Sequence, residues 1–113
     1  PSNDLGADVV VMGKENTLIQ CKHTSNHTYD SLEPLIQIHS AKPAYEEKTG
    51  KVFSSLIVAI NAKKFSRKVL KAKRTYNVKL VGLRDLDDLL KQYIVTRKQI
   101  QKRLLAPRIF EKK

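Results

Sequence analysis

Tryptophan is absent from the 113 residues, cysteine and methionine occur once each, and there are only four glycines. A single cysteine excludes an internal disulfide framework, which fits a cytoplasmic, intracellular chain. The glycines form no phosphate-cradling loop, because Gly6 and Gly13 stand alone and Gly50 follows a helical stretch. Nucleotide hydrolysis within this domain therefore has no sequence support. Long apolar runs are missing too: the longest, SSLIVAI, is too short to cross a bilayer, and no signal peptide opens the chain. No membrane partner is expected. The sequence begins at Pro1 without a methionine, as expected of a piece of a larger parent chain.

Acidic residues are scarce in the second half. Pro1 to Ala62 carry five Lys/Arg against seven Asp/Glu, a net of −2, whereas Lys63 to Lys113 carry seventeen against four, a net of +13. A basic half beside a mildly acidic one points to a polyanionic partner, since summed charge steers association before specific contacts form. Solvated lysines on helix faces are the plainer account of the same charge.

The length suits one domain, over residues 1–106, followed by a basic tail at 107–113, with no internal repeat or flexible linker. Strands and helices alternate along it. ADVVVMG (7–13) and TLIQCKH (17–23) read as a hairpin around Lys14-Glu15-Asn16. Asp30 or Ser31 can cap a helix bearing Leu32, Leu35, Ile36 and Ile38, which Pro43 breaks or kinks and Gly50 ends. VFSSLIVAI (52–60) is apolar enough for a central strand. Asn61 can cap a second helix with Phe65, Val69, Ala72 and Tyr76 on one stripe, and Lys63, Lys64, Arg67, Lys68, Lys71 and Arg74 on its other faces. Val78 to Gly82 forms a short strand. Asp85 then caps a Leu-rich helix through Leu86, Leu89, Leu90, Tyr93 and Ile94, with basic residues from Arg97 to Arg103 and a stop at Pro107.

The hairpin poses a chemical question. Strand alternation puts Leu18, Gln20 and Lys22 on one face and Ile19 and Cys21 on the other, so Cys21 reads as a buried hydrophobe. A three-residue loop pairs Gly13 with Thr17 and hence Asp8 with Lys22, leaving Gln20 diagonal to Asp8. Such polar groups in a strand must be ion-paired, hydrated or metal-bound. One account is a plain Asp8–Lys22 salt bridge on an exposed face. The other is a magnesium site using Asp8, the Gln20 amide and the Cys21 backbone carbonyl, with Lys22 beside the attacking water.

GADVVV, the turn and LIQCKHT resemble the PD-(D/E)xK nuclease superfamily, and Gln20 in place of the usual Glu is similar to its Mrr-like restriction endonuclease branch. NAKKFSRKVLKAKRTYNVKLVG and LRDLDDLL resemble that family's later region, so the likeness spans Leu5 to Leu90. It implies an α/β fold, a restriction-endonuclease-like mixed sheet flanked by helices. Only Pro1 to Ala7 stand before Asp8, so the family's first helix and strand are expected either to precede this piece of the chain or to be lacking from the site. The first sheet position would then be filled by another segment or subunit. The resemblance further implies Mg2+-dependent (or Mn2+-dependent) hydrolysis of DNA phosphodiester bonds, with Asp8 and Gln20 on the metal and Lys22 catalytic. Gln37, one or two turns into the first helix, is a further candidate to face that site.

The basic residues Lys63, Lys64, Arg67, Lys68, Lys71 and Arg74 would contact DNA phosphates without reading sequence. A homodimer or the larger parent chain is the expected assembly. His23 and His27 fall where strand passes into loop, which disfavours a helical zinc pair. His39 reads as a packed or surface histidine, while Tyr29 and Asp30 suit a turn and a cap. The contrasting expectation is a catalytically silent relative that binds nucleic acid or supports an assembly.

Overall fold

The computed structural model describes residues 7–92 and 108–111. The hairpin forms from β1 (Val9–Met12) and β2 (Thr17–Lys22), antiparallel. A two-residue strand β3 (Thr28–Tyr29) leads into helix α1 (Glu33–Thr49), followed by β4 (Ser55–Ile60) and a second two-residue strand, β5 (Lys64–Phe65). Helix α2 (Arg67–Thr75), β6 (Lys79–Val81), helix α3 (Leu83–Gln92) and β7 (Arg108–Glu111) complete the order.

The main sheet runs β6-β4-β2-β1-β7, and β3 pairs with β5 in a separate small sheet. β2, β4 and β6 are mutually parallel, so their carboxyl ends share one edge. Val10, Leu18, Val58 and Ile60 of the sheet pack with Leu35, Ile38 and Tyr45 of α1 and Val69 and Ala72 of α2. Val9, Val11, Ile19, Ile57, Ala59 and Val81 turn the other way, toward Leu86 and Leu89 of α3. The architecture is thus a mixed α/β sandwich, a mixed sheet with helices on both faces. Among the described residues no helix is long and apolar enough to cross a membrane.

Several local expectations are corrected. Val11, not Gly13, pairs with Thr17, so the register is two residues away from the one that sets Asp8 opposite Lys22. Asn16 explains the longer turn: its Oδ1 accepts from Gly13 N–H at 2.9 Å and its Nδ2 donates to Val52 O at 2.9 Å. Strand alternation also fails at Asp8. Val9 faces Ile19, yet Asp8 N–H also donates to Ile19 O at 2.8 Å, two residues set against one as in a β-bulge. Ala7 accordingly joins Val10 in the α1-side core, three positions apart, which period-two alternation forbids.

Pro43 does not break α1, which runs on to Gly50; that glycine closes it at φ 70°, donating its N–H to Glu46 O. The N-terminal residue of α1 is Leu32, without a side-chain cap, although Ser31 Oγ accepts from Glu33 N–H at 3.2 Å. Ile36 is exposed rather than buried. Asn61 caps no helix: it clasps Thr24, accepting from its N–H at 2.7 Å and donating to its carbonyl at 3.0 Å. Ser66 caps α2 instead, its hydroxyl accepting from Val69 N–H. Lys63, Lys64 and Phe65 therefore precede α2 rather than lie on it. Helix α3 starts at Leu83, with Asp85 inside its first turn.

At the C-terminal end, Arg108–Glu111 is a strand beside β1, parallel to it, rather than a basic tail. That segment of the same chain occupies the sheet position next to the Asp8-bearing strand. Tyr93, Ile94 and the basic stretch Arg97 to Arg103 lie outside the described residues.

Candidate functional site

The polar residues of the hairpin gather at the carboxyl end of β2, where it enters the loop toward α1. Gln20 is 8% exposed and faces that helix; its Nε2 donates to Gln37 Oε1 at 2.9 Å. Gln37 Nε2 donates in turn to Glu33 Oε1, also at 2.9 Å. Glu33 and Gln37 sit four apart on α1, one turn of helix, so they stack along one face.

This chain of bonds has a direction. A carboxylate only accepts hydrogen bonds, so Gln37 must turn its NH2 toward Glu33 and its oxygen toward Gln20. Gln20 must then spend its own NH2 on Gln37. Gln20 Oε1 is left over: it is shielded from solvent and has no hydrogen-bond partner. An amide oxygen in that state costs about 1–3 kcal/mol relative to a satisfied one. Sequence reasoning found Gln37 but missed Glu33, although the Glu-x-x-x-Gln spacing ahead of Gln37 was the signal for it.

The structure ties Asp8 to the next residue along. The bulge brings its Oδ2 to Cys21 N–H at 2.7 Å, so the carboxylate is anchored on the main chain of β2 between Gln20 and Lys22. Burial, and then the Asp8 charge beside it, push the Cys21 thiol up to about 12. Cys21, partly buried, thus stays protonated and is no nucleophile at neutral pH. Lys22, half-buried, ends β2 opposite Ile60 of β4. Asp8, Gln20, the Cys21 main chain and Lys22 thus share one strand end.

The donor types there suit a hard divalent cation: an amide oxygen without a partner, a carboxylate and a main-chain carbonyl. Among the described residues no three His, Cys, Asp or Glu side chains converge. A cation at this strand end would rely on one carboxylate, neutral oxygens and water.

The six basic residues expected on one helix divide into two groups. Arg67, Lys68, Lys71 and Arg74 lie on α2, and Lys68 is drawn to Asp30 at 3.7 Å. The Ser66 hydroxyl and the Lys68 ammonium hold the Asp30 carboxyl below its ordinary value. Asp30 therefore serves the start of α2 rather than that of α1. Lys63 and Lys64 instead line an open cleft of about 490 Å3 with His27, Leu83 and Arg84. His39 packs edge-on against Tyr76, with ring centroids 5.3 Å apart. No protein-family model, curated protein or solved structure matches the chain.

Proposed function

We propose that this chain is a PD-(D/E)xK nuclease domain of the Mrr-like kind, with a restriction-endonuclease-like fold, that hydrolyses DNA phosphodiester bonds. Its setting would be a larger restriction or DNA-processing protein in the cytoplasm. The observation that carries the reading is Gln20 Oε1, a buried acceptor left without a hydrogen-bond partner beside Asp8 and Lys22. A folded chain gains nothing in stability from such an atom, whereas a site for Mg2+ or Mn2+ gains a donor held in place by Gln37 and Glu33.

Asp8, Gln20 and the Cys21 carbonyl would hold the cation, which when bound supplies Lewis acidity to a phosphoryl oxygen and to water. Asp8 has its orientation set by Cys21 N–H, which fixes the carboxylate at the strand end. Lys22 brings a positive charge to the same strand end, where it stabilises the charge that develops on the phosphoryl oxygens and orients the attacking water. The glutamine keeps this site less negative than a glutamate would, which lowers metal affinity and eases the approach of a phosphate.

The alternative is a catalytically silent relative that binds nucleic acid, favoured by the lack, among the described residues, of three converging His, Cys, Asp or Glu side chains. Cleavage of supercoiled plasmid in Mg2+ separates the two. The nuclease reading expects Lys22→Ala to lower the rate by about a hundredfold or more while DNA binding persists, and EDTA to abolish it. Tight binding without cleavage in Mg2+ or Mn2+ identifies the silent relative.

A further inference from the structure

We propose that the cleft between His27, Lys63, Lys64, Leu83 and Arg84 seats the phosphodiester backbone of a bound nucleic acid, and that the outer face of α2 does not. The inference rests on the nucleic-acid partner of the proposed function and is independent of its hydrolytic step.

The cleft is built from the segments that follow β2, β4 and β6, namely a loop, the start of β5 and the first turn of α3, at the edge where those adjacent parallel strands end. Those segments are fastened to one another. His27 O accepts from both Lys63 N–H and Lys64 N–H at 3.2 Å, and β3 pairs with β5 immediately beyond. Leu83 N–H donates to Ala62 O at 3.0 Å. Gly82 permits that approach, since a Cβ there would stand 3.1 Å from Ala62 O and 3.3 Å from the Phe65 ring. The backbones that carry Lys63, Lys64 and Arg84 are thus fixed before any ligand arrives, which reduces the ordering lost on binding.

Charge and shape select the ligand class. Three permanent cations and a histidine line the cleft, and among the described residues no acidic side chain does. It is open to solvent, with a volume of about 490 Å3, so a charged ligand can enter and keep part of its hydration. Helix α2 presents the opposite geometry: Arg67, Lys71 and Arg74 project from a convex cylinder, and Lys68 is engaged by Asp30. The cleft lies across the segments that follow three adjacent parallel strands, two strand spacings or about 10 Å.

The test compares two double variants that each remove two positive charges from exposed side chains. Lys63→Gln with Arg84→Gln empties the cleft, and Lys71→Gln with Arg74→Gln alters α2. Binding of a fluorescein-labelled duplex oligonucleotide is measured against salt for the whole chain and both variants, with thermal melting to confirm folding. The cleft variant is expected to lose affinity on the order of tenfold, with a salt slope shallower by about 2, one unit per lost phosphate contact. The α2 variant should stay within about threefold of the parent, because distributed charge acts only at long range. Equal losses in the two variants, a larger loss on α2, or no duplex binding by the parent at low salt would each overturn the proposal. Absent cleavage together with selective loss in the cleft variant would retire the hydrolytic reading and leave this one standing.

Discussion

The two ends of β2 treat their polar groups in opposite ways. At the amino end both side-chain polar atoms of Asn16 and its carbonyl find partners: Oδ1 takes Gly13 N–H, Nδ2 reaches Val52 O, and the main-chain carbonyl accepts from Ser55 N–H. Thr17, buried beside it, donates its hydroxyl to Glu15 O at 3.3 Å. At the carboxyl end Gln20 is similarly buried and its NH2 is similarly bound, yet its oxygen has no partner. The same strand, under the same core, satisfies one end and leaves the other open. The open acceptor is therefore a local property of the Asp8–Gln20–Lys22 end, where chemistry is proposed, and not a sign of loose packing throughout.

Three measurements press on that contrast. Asn16→Ala removes the two exposed side-chain hydrogen bonds with Gly13 N–H and Val52 O at the satisfied end, and urea unfolding should report a loss of about 1–2 kcal/mol. A loss no larger than that of an ordinary exposed substitution would dissolve the contrast from its structural side. Raising the pH probes the other end through Cys21. Its thiol ionises near 9 when unfolded but is held up to about 12 in the fold, so the unfolded chain releases its proton first and stability falls between those values. The loss at pH 10 should be on the order of 1 kcal/mol, and Cys21→Ala should remove it. The smallest effect belongs to Gln20→Met. With the unpaired oxygen gone but the bond to Gln37 lost with it, stability should change by no more than about 1 kcal/mol in either direction, while the shift in melting temperature expected from Mg2+ disappears. Destabilisation as large as that of Asn16→Ala would show that Gln20 is an ordinary structural amide.

Much of this was legible in the residues because the signals were local. The β-branched runs gave the hairpin and β4, and Gly50 marked the end of α1. Gln37 could be placed near the strand end only by the family resemblance, not by a local signal in the residues. The failures came from choices made by tertiary structure. The bulge at Asp8 depends on which carbonyl its N–H finds, and nothing in GADVVV distinguishes Ile19 from its neighbours. Asn61 had the residue type of a helix cap, but its side chain closes the Thr24 loop, and the duty falls to Ser66. That displacement separates Lys63 and Lys64 from α2, so a basic run that looked like one surface became two. Glu33 was visible as a charge; its partner became visible only when Gln37 was seen bonded to Gln20.

The placement of β7 bears on how the domain is made. Val9 faces Arg108 and Met12 faces Glu111, partners separated by most of the chain. As the polypeptide leaves the ribosome, β1 and β2 can pair early, but the outer edge of β1 keeps its N–H and C=O groups unpaired until residues 108–111 have been synthesised. A nascent chain in that interval exposes a hydrophobic strand edge, and sheet closure has to await the formation of its most distant pairing.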